Sequence, residues 1–167
     1  AVWHAVGLSA PAKQMIASDL NQAARDAFAK EVGAKTTASN SESVKFAEVL
    51  ILAVKTAQFA EVLAEIRDQF GPKQLLISIA AGVRIAFLQE TLGRPIGIIR
   101  TMPNIASTVD EGATAMSFGE HVSEAQKKNA EAIFKAVGDV VTVAEEQLDA
   151  VTGLSGSGPA YIYMVID

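Results

Sequence analysis

The stretch VLILAVKT, residues 49–56, is apolar at six successive positions and then turns polar at Lys55. A second stretch of this kind, LLISI at residues 75–79, follows further along the chain. Strands that are apolar at successive positions are typical of parallel sheets, because helices cover both faces of such sheets. The two stretches therefore predict buried strands of one largely parallel sheet.

Shorter apolar runs extend this pattern along the chain. The strand candidates are Gln14–Ser18, Ala34–Thr37, Val49–Val54, Leu75–Ile79, Ile96–Arg100, Ala113–Ser117 and Val140–Val143. Amphipathic segments with helix start and stop signals lie between them, at residues 21–32, 56–70 and 123–137. Strands that alternate with helices at short intervals predict a doubly wound α/β fold with a mostly parallel sheet.

Composition excludes several classes of function. The chain of 167 residues has a formal net charge of −5 and no dense basic cluster, so we expect no nucleic-acid partner. It contains no apolar segment long enough to span a bilayer, so we expect no membrane partner. The absence of cysteine excludes a disulfide framework and indicates a reducing, cytoplasmic location. His4 and His121 have no metal-ligand spacing, so we expect no metal site.

The glycine-rich segment near the C-terminus, GLSGSGPAY at residues 153–161, allows two interpretations. A dinucleotide-binding turn needs G-x-G-x-x-G directly after a strand, but Tyr161 occupies the third glycine position and no strand precedes the segment. Pro159 instead suits the first turn of a helix, with Ser157 or Gly158 as its cap. We therefore expect a buried helix to begin here, with apolar residues from Tyr161 to Ile166.

Five segments in this order resemble the pyrroline-5-carboxylate reductase family: LAVKT (52–56), SIAAGV (78–83), IRTMPN (99–104), EGAT (111–114) and DAVTGLSGSGPAY (149–161). The resemblance covers essentially the whole chain. It departs from the family pattern at Thr56, where proline is common, and at Ile105-Ala106, where a Thr-Pro pair is usual. These departures leave the local turns and substrate contacts open.

The resemblance implies a Rossmann-type NAD(P)-binding domain over residues 1–152. Residues 153–167 would form the junction and the start of an all-helical dimerisation and substrate domain. The family's first strand, with its phosphate turn, and most of its helical domain would then lie outside this sequence. We accordingly expect these 167 residues alone to turn over negligibly, and the full-length protein to form a homodimer or a larger homo-oligomer.

The implied reaction is hydride transfer from NAD(P)H to the C=N bond of 1-pyrroline-5-carboxylate, which gives L-proline. A protonated imine is already electrophilic, so the chemistry requires little acid or base from the protein. This agrees with a sequence in which we identify no catalytic residue. The implied cofactor is NADP(H), or NAD(H) as well.

The proposed cofactor-binding residues follow the predicted strands at the edge where open α/β sheets bind ligands. They are Ser18, Asp19, Ala53, Val54, Lys55, Ala80, Ala81 and Gly82, with Met102, Pro103 and Asn104 near the substrate. The resemblance adds Asn40, which matches a family position beside the adenosine ribose. Structural alternatives exist for several of them. Asp19 or Asn21 could merely cap the next helix, and Asn40 is also a good helix cap. Lys55 suits a solvated surface, and Gly82 suits a tight turn.

Two other functions remain open from the sequence. One is a different two-domain reductase, such as a β-hydroxyacid dehydrogenase, whose catalytic lysine would follow the junction. The other is a noncatalytic module for nucleotide binding or oligomerisation.

Overall fold

The computed structural model describes residues 11–166 and confirms the α/β fold with a mostly parallel sheet. The strands in the described residues are β1 (Ile16–Ser18), β2 (Lys35–Thr37), β3 (Val49–Leu52), β4 (Leu75–Ser78), β5 (Gly97–Met102), β6 (Gly112–Phe118) and β7 (Gly138–Thr142). The α-helices there are α1 (Gln22–Val32), α2 (Asn40–Phe46), α3 (Phe59–Ile66), α4 (Ile85–Leu92), α5 (Glu124–Lys135), α6 (Leu148–Val151) and α7 (Gly158–Ile166).

The strands form two sheets within these residues. β1 pairs with β2 in parallel, and β3 to β7 form a five-stranded sheet in sequence order. Every pair in the larger sheet is parallel except β5 with β6, which is antiparallel. The link between those two strands carries only the 3-10 helix Ile105–Val109, whereas a parallel return needs a longer crossover.

Helices cover both faces of the larger sheet. On one face, α2, α3 and α4 bury a cluster that includes Leu63, Leu76 and Ile98. On the other face, α5 places Phe134 against Ile77 and Ile99. Alternate residues of β4 and β5 therefore enter opposite cores, which explains why these strands are apolar at successive positions.

Helix ends follow the predicted capping chemistry in two places. The Asn21 side chain accepts from the Ala23 amide to cap α1, and Gly33 ends that helix with a φ of 72°. Ser123 and Gln126 form the capping box of α5. The predicted helix over residues 56–70 is instead α3 flanked by two 3-10 turns, at Thr56–Gln58 and Arg67–Gln69.

The C-terminal segment differs from its predicted form. Residues Thr152–Gly156 form a π-helical turn that joins α6 to α7, and Ser157 has helical backbone angles. The Ser157 hydroxyl donates to the Thr152 carbonyl at 2.9 Å rather than capping α7. The helix that was expected to be buried is also exposed, because each residue from Tyr161 to Ile166 exposes 58% to 83% of its surface.

No helix among residues 11–166 is long and apolar enough to cross a membrane.

Candidate functional site

The two sheets present their carboxyl ends on the same side of the molecule. At the start of α2, Asn40 Oδ1 accepts from the Ser18 hydroxyl, at the carboxyl end of β1. Near the opposite end of α2, the Gln74 side chain donates to the Val44 carbonyl, just before β4 begins. Helix α2 thus runs from the carboxyl end of β1 to the amino end of β4. The loops after β1, β3, β4 and β5 therefore share one rim, which we call the ligand rim.

A polar corner forms one end of the ligand rim. The Ser18 hydroxyl lies 2.9 Å from Asn40 Oδ1, and Asn40 Nδ2 donates to Glu65 at 2.8 Å. Asp19 is exposed, and its carboxylate accepts from the Asn21 amide at 2.8 Å. The Arg25 guanidinium donates to the Asp19 carbonyl at 2.6 Å, which places a cation beside the turn. The corner thus offers a hydroxyl, an amide, a carboxylate and a guanidinium to a ligand.

Ser39, not Asn40, caps α2 through a hydrogen bond from the Glu42 amide. The capping alternative for Asn40 is therefore wrong, and its side chain bridges β1 to α3. The alternative that Asp19 or Asn21 caps the next helix is confirmed for Asn21. Asn21 caps α1 directly, and Asp19 supports that cap by accepting from its amide.

Small side chains form the middle of the ligand rim. Ala53, Ala81 and Gly82 are exposed, whereas Ala80 is buried and Val54 is half-buried. Gly82 has a φ of +75° and no atom within 4 Å of where a Cβ would lie, so glycine is needed there for its backbone conformation and not for space. Lys55 is exposed, and its amine has no protein partner among the described residues. The middle of the rim is therefore open, with one cation beside it.

The loop after β5 is ordered by its own amide side chain. Asn104 Oδ1 accepts from the Ala113 amide at 3.1 Å, and the Asn104 carbonyl accepts from the Ser107 hydroxyl at 2.8 Å. The Met102 side chain packs against Gly156, where a Cβ would come within 2.6 Å of the Met102 methyl group. Met102, Pro103 and Asn104 are all half-buried. The Asn104 acceptor is thus used by the fold, whereas its amide nitrogen has no hydrogen-bond partner among the described residues.

Arg100 on β5 is a charged residue that was not among the predicted site residues. It is buried and bonded to Asp149 at 2.8 Å and to Glu145 at 3.5 Å. The Arg100 guanidinium, as hydrogen-bond donor and nearby cation, lowers the pKa of Asp149 below its usual value, and Arg84 adds a smaller effect. Glu145 is half-buried in this contact. The available signal was a charged residue in the predicted strand Ile96–Arg100, which is otherwise apolar.

A groove of about 660 Å³ lies between α4, the end of β6 and the residues before α6. Its lining includes Phe118, His121, Lys127 and Glu145 but none of the predicted site residues.

Among residues 11–166 no group of three or more acidic or histidine side chains could hold a metal ion. His4 lies outside the described residues.

Two family models match separate parts of the chain. The family of NADP oxidoreductases described as coenzyme F420-dependent matches residues 3–82. The pyrroline-5-carboxylate reductase dimerisation family matches residues 145–167, which include α6 and α7.

Curated relatives named pyrroline-5-carboxylate reductase align with most of this chain. A pyrroline-5-carboxylate reductase of Methanosarcina acetivorans is 39% identical over 90% of this chain, and one of Synechocystis is 41% identical over 93%. This chain spans only 56% and 57% of those two relatives, respectively.

Solved structures of pyrroline-5-carboxylate reductases are also similar to this chain. A pyrroline-5-carboxylate reductase from Coxiella burnetii superposes over 99% of this chain and 64% of its own, with a TM-score of 0.90 and 35% identity. The Plasmodium falciparum structure, described with NADP bound, covers 99% of this chain and 61% of its own, with a TM-score of 0.88 and 27% identity. A prephenate dehydrogenase from Aquifex aeolicus has a TM-score of 0.75 at 15% identity, which shows the shared fold alone.

Proposed function

We propose that this chain, which belongs to the pyrroline-5-carboxylate reductase family, carries the nucleotide-binding part of an enzyme that reduces 1-pyrroline-5-carboxylate to L-proline. In this reaction a hydride is added to the carbon of the C=N bond and a proton to its nitrogen. The observation that carries the proposal is the ligand rim, where loops from four strands meet in a chain that also matches the dimerisation family of these reductases.

The residues of the ligand rim fit a dinucleotide in two respects. Ala53, Ala81 and Gly82 leave the middle of the rim free of large side chains, so a flat ring could lie against the backbone. The corner formed by Ser18 and Asn40, with Arg25 beside it, offers donors to the adenosine ribose and its phosphate. The Asp19 carboxylate is also suited to accept from ribose hydroxyls.

The proposed cofactor is NADP(H), which supplies the hydride when it is bound. The Arg25 guanidinium favours a 2′-phosphate, and the NADP-bound relative supports this choice. Asp19 favours a free ribose hydroxyl, so some use of NAD(H) is also proposed. The adenosine end of the cofactor would be held by Ser18, Asp19 and Asn40. The remainder of the dinucleotide would lie along Ala53–Lys55 and Ala80–Gly82.

The protein's task in this reaction is placement. Ala80–Gly82 and the loop Met102–Asn104 follow adjacent strands, so they would bring nicotinamide and substrate side by side. The Asn104 amide nitrogen, with no protein partner among the described residues, could donate to the substrate. Correct alignment of two reacting carbons and exclusion of water account for much of the rate enhancement in such a reaction.

The assembly we propose is a homodimer or a larger homo-oligomer in the cytoplasm. The exposed apolar helix α7 falls in the segment that matches the dimerisation family, which supports self-association through it. The two alternative functions gain no support from the relatives, since the two curated relatives described above, at 39% and 41% identity, are pyrroline-5-carboxylate reductases.

The direct test is steady-state turnover by the full-length protein. We expect NADPH oxidation that depends on pyrroline-5-carboxylate, and no reduction of NADP⁺ when small 3-hydroxy acids are supplied instead. Turnover on a 3-hydroxy acid alone would favour the other reductase class. NADPH binding without any turnover would favour the noncatalytic module.

Cofactor binding is tested by Asn40→Ala in the full-length protein. We expect NADPH to bind about tenfold more weakly, as for the loss of one hydrogen bond to a charged group. Asn129→Ala, at an exposed position of α5, is the matched control and should leave the Kd unchanged. Equal Kd values for both variants in a fluorescence titration would remove Asn40 from the proposed site.

A further inference from the structure

Arg100 is a buried cation on β5, with only 2% of its surface exposed. Its two terminal nitrogens bond to two carboxylates, Nη2 to Asp149 Oδ1 at 2.8 Å and Nη1 to Glu145 Oε1 at 3.5 Å. A buried charge is strongly destabilising when it has no partner, so these contacts are required for the strand to hold an arginine here. Arg100, Glu145 and Asp149 are called the junction cluster below.

The two carboxylates of the junction cluster both come from the C-terminal segment. Glu145 lies in the 3-10 turn that precedes α6, and Asp149 lies one helical turn later in α6 itself. The helical backbone continues from α6 through the π-helical turn into α7. Arg100 therefore holds the start of the segment that matches the dimerisation family against the sheet.

Glu145 extends the junction cluster to a third element. Its Oε1 atom also accepts from the Ile85 amide at 2.7 Å, across 60 positions of sequence. Ile85 is the first residue of α4, and Arg84, at the cap position, makes no side-chain capping bond. Glu145 thus caps α4 from another part of the chain, and α4 begins just after the turn Ala80–Gly82 of the ligand rim.

A second contact from β5 reaches the same segment. Met102 lies two residues after Arg100, so both side chains project from the same face of the strand. The Met102 methyl group packs against Gly156 so closely that a Cβ there would come within 2.6 Å. Arg100 and Met102 together fix residues 145–156 against the strand that leads into the loop Met102–Asn104.

We propose that Arg100 is a positioning residue, which fixes the C-terminal segment and the start of α4 relative to the ligand rim. This proposal rests on the proposed function, because it assigns Ala80–Gly82 to the nicotinamide and Met102–Asn104 to the substrate. Arg100 touches neither ligand in this scheme. It acts through Glu145 and Asp149 to keep the two loops at the separation that hydride transfer requires, and a shift of about 1 Å can lower a rate a hundredfold.

The principal test is Arg100→Lys in the full-length protein. A lysine keeps the charge, but its single ammonium group lacks the planar fork that bonds both carboxylates. We expect kcat for pyrroline-5-carboxylate to fall at least about tenfold, because the loops lose their alignment. The Kd for NADPH should change less than about threefold, because Ser18 and Asn40 lie outside the junction cluster. A purely structural role would lower the melting temperature and leave kcat per folded molecule unchanged.

Arg94→Lys is the matched control. Arg94 donates to the Phe70 carbonyl at 2.9 Å and lies 3.5 Å from Asp68, away from the junction cluster. It has the same chemistry as Arg100 but does not touch residues 145–156. We expect Arg94→Lys to leave both kcat and the Kd for NADPH unchanged. An equal fall of kcat in both lysine variants would contradict the proposal.

Hydrogen exchange provides a readout that does not depend on activity. We expect Arg100→Lys to speed exchange at the Ile85 amide and across residues 145–157, whereas Arg94→Lys should not. Accelerated exchange in Arg100→Lys supports the junction cluster even if the wild-type protein fails to reduce pyrroline-5-carboxylate, an outcome that would defeat only the proposed function. Unchanged exchange together with unchanged kcat overturns the inference.

Asp149→Asn is a second variant in case Arg100→Lys does not fold. Asp149 is exposed, so its neutral replacement leaves no buried charge on the helix, and Arg100 keeps Glu145. We expect the same changes in kcat and exchange, with smaller amplitude. Asp139→Asn, at an exposed position of β7, is the control. If Asp149→Asn matches this control in both measurements, the inference is wrong.

Discussion

The five-stranded sheet and the C-terminal helix α7 are both strongly apolar, but within residues 11–166 only the sheet is covered by other elements. Leu76, Ile77 and Ile98 are fully buried between two layers of helices. Val165 in α7 exposes 83% of its surface, and its neighbours are similarly exposed. Apolar composition therefore identifies buried surface without identifying the partner that buries it. For the sheet the partners are α2 to α5, and for α7 we propose a second copy of the protein.

The largest expected difference between the two regions comes from a pair of glycines. Gly138 in β7 has a φ of +142°, and a Cβ there would lie 2.0 Å from the Gly112 carbonyl oxygen. Gly153, in the π-helical turn, has no atom within 4 Å of its Cβ position. We expect Gly138→Ala to lower the free energy of unfolding by at least about 4 kcal/mol, because backbone atoms of the paired strand cannot move aside.

Gly153→Ala should change the same quantity by less than about 1 kcal/mol, with alanine favoured by its helix propensity. Urea denaturation of the full-length protein measures both variants. Similar losses of the free energy of unfolding in Gly138→Ala and Gly153→Ala would mean that the C-terminal segment is as tightly packed as the sheet.

Self-association gives a sharper comparison, between two exposed valines. We expect Val165→Ser in α7 to weaken association of the full-length protein at least about tenfold, because it places a hydroxyl in the proposed subunit interface. Val141→Ser, on the edge strand β7 where valine exposes 56% of its surface, is the matched control. Sedimentation equilibrium should show weaker assembly only for Val165→Ser. Equal assembly by both variants would exclude α7 from the interface.

The smallest expected effect is a pH dependence at the junction between the two regions. Arg100 lowers the pKa of Asp149 in the folded protein, so the unfolded chain takes up the proton first as pH falls. The contribution of this carboxylate to stability is complete above about pH 4, the usual aspartate pKa, and is lost as pH falls through the lowered native value.

Asp149→Asn removes this contribution, so we expect wild type and variant to differ at neutral pH and to converge in acid. Glu42 and Glu124 also have lowered pKa values, through Lys35 and Lys127, but they are present in both proteins and their effects cancel. Denaturation curves across the acid range measure the difference. If the difference in free energy of unfolding between wild type and variant stays constant down to the lowest pH, the ion pair does not contribute to stability.

The sequence was sufficient for the sheet because burial between two helical layers leaves a local signal. All seven strands of the described residues begin and end within two residues of their predicted bounds, including β4, where four successive residues are buried. The orientation of β6 was not anticipated, since it depends on the short link after β5. Helix α4 was also missed, because it packs through only Leu88 and Leu92 as buried residues and its cap comes from distant Glu145.

The candidate site was predictable only in part. Positions on the ligand rim follow from where strands end, so Ala53, Ala81 and Gly82 could be proposed from the sequence. The predicted β5 ended at Arg100, which would have put that side chain at the exposed edge. The strand continues to Met102 and buries it. Its carboxylate partners lie 45 and 49 positions away, a separation that carries no local signal.

The most direct test of the ligand rim is a crystal structure of the full-length protein with NADPH. We predict that the adenosine ribose lies beside Ser18, Asp19 and Asn40, and that the remainder of the dinucleotide crosses Ala53–Lys55 to reach Ala80–Gly82. A dinucleotide bound elsewhere, for example in the groove lined by Phe118 and His121, would contradict the proposed site.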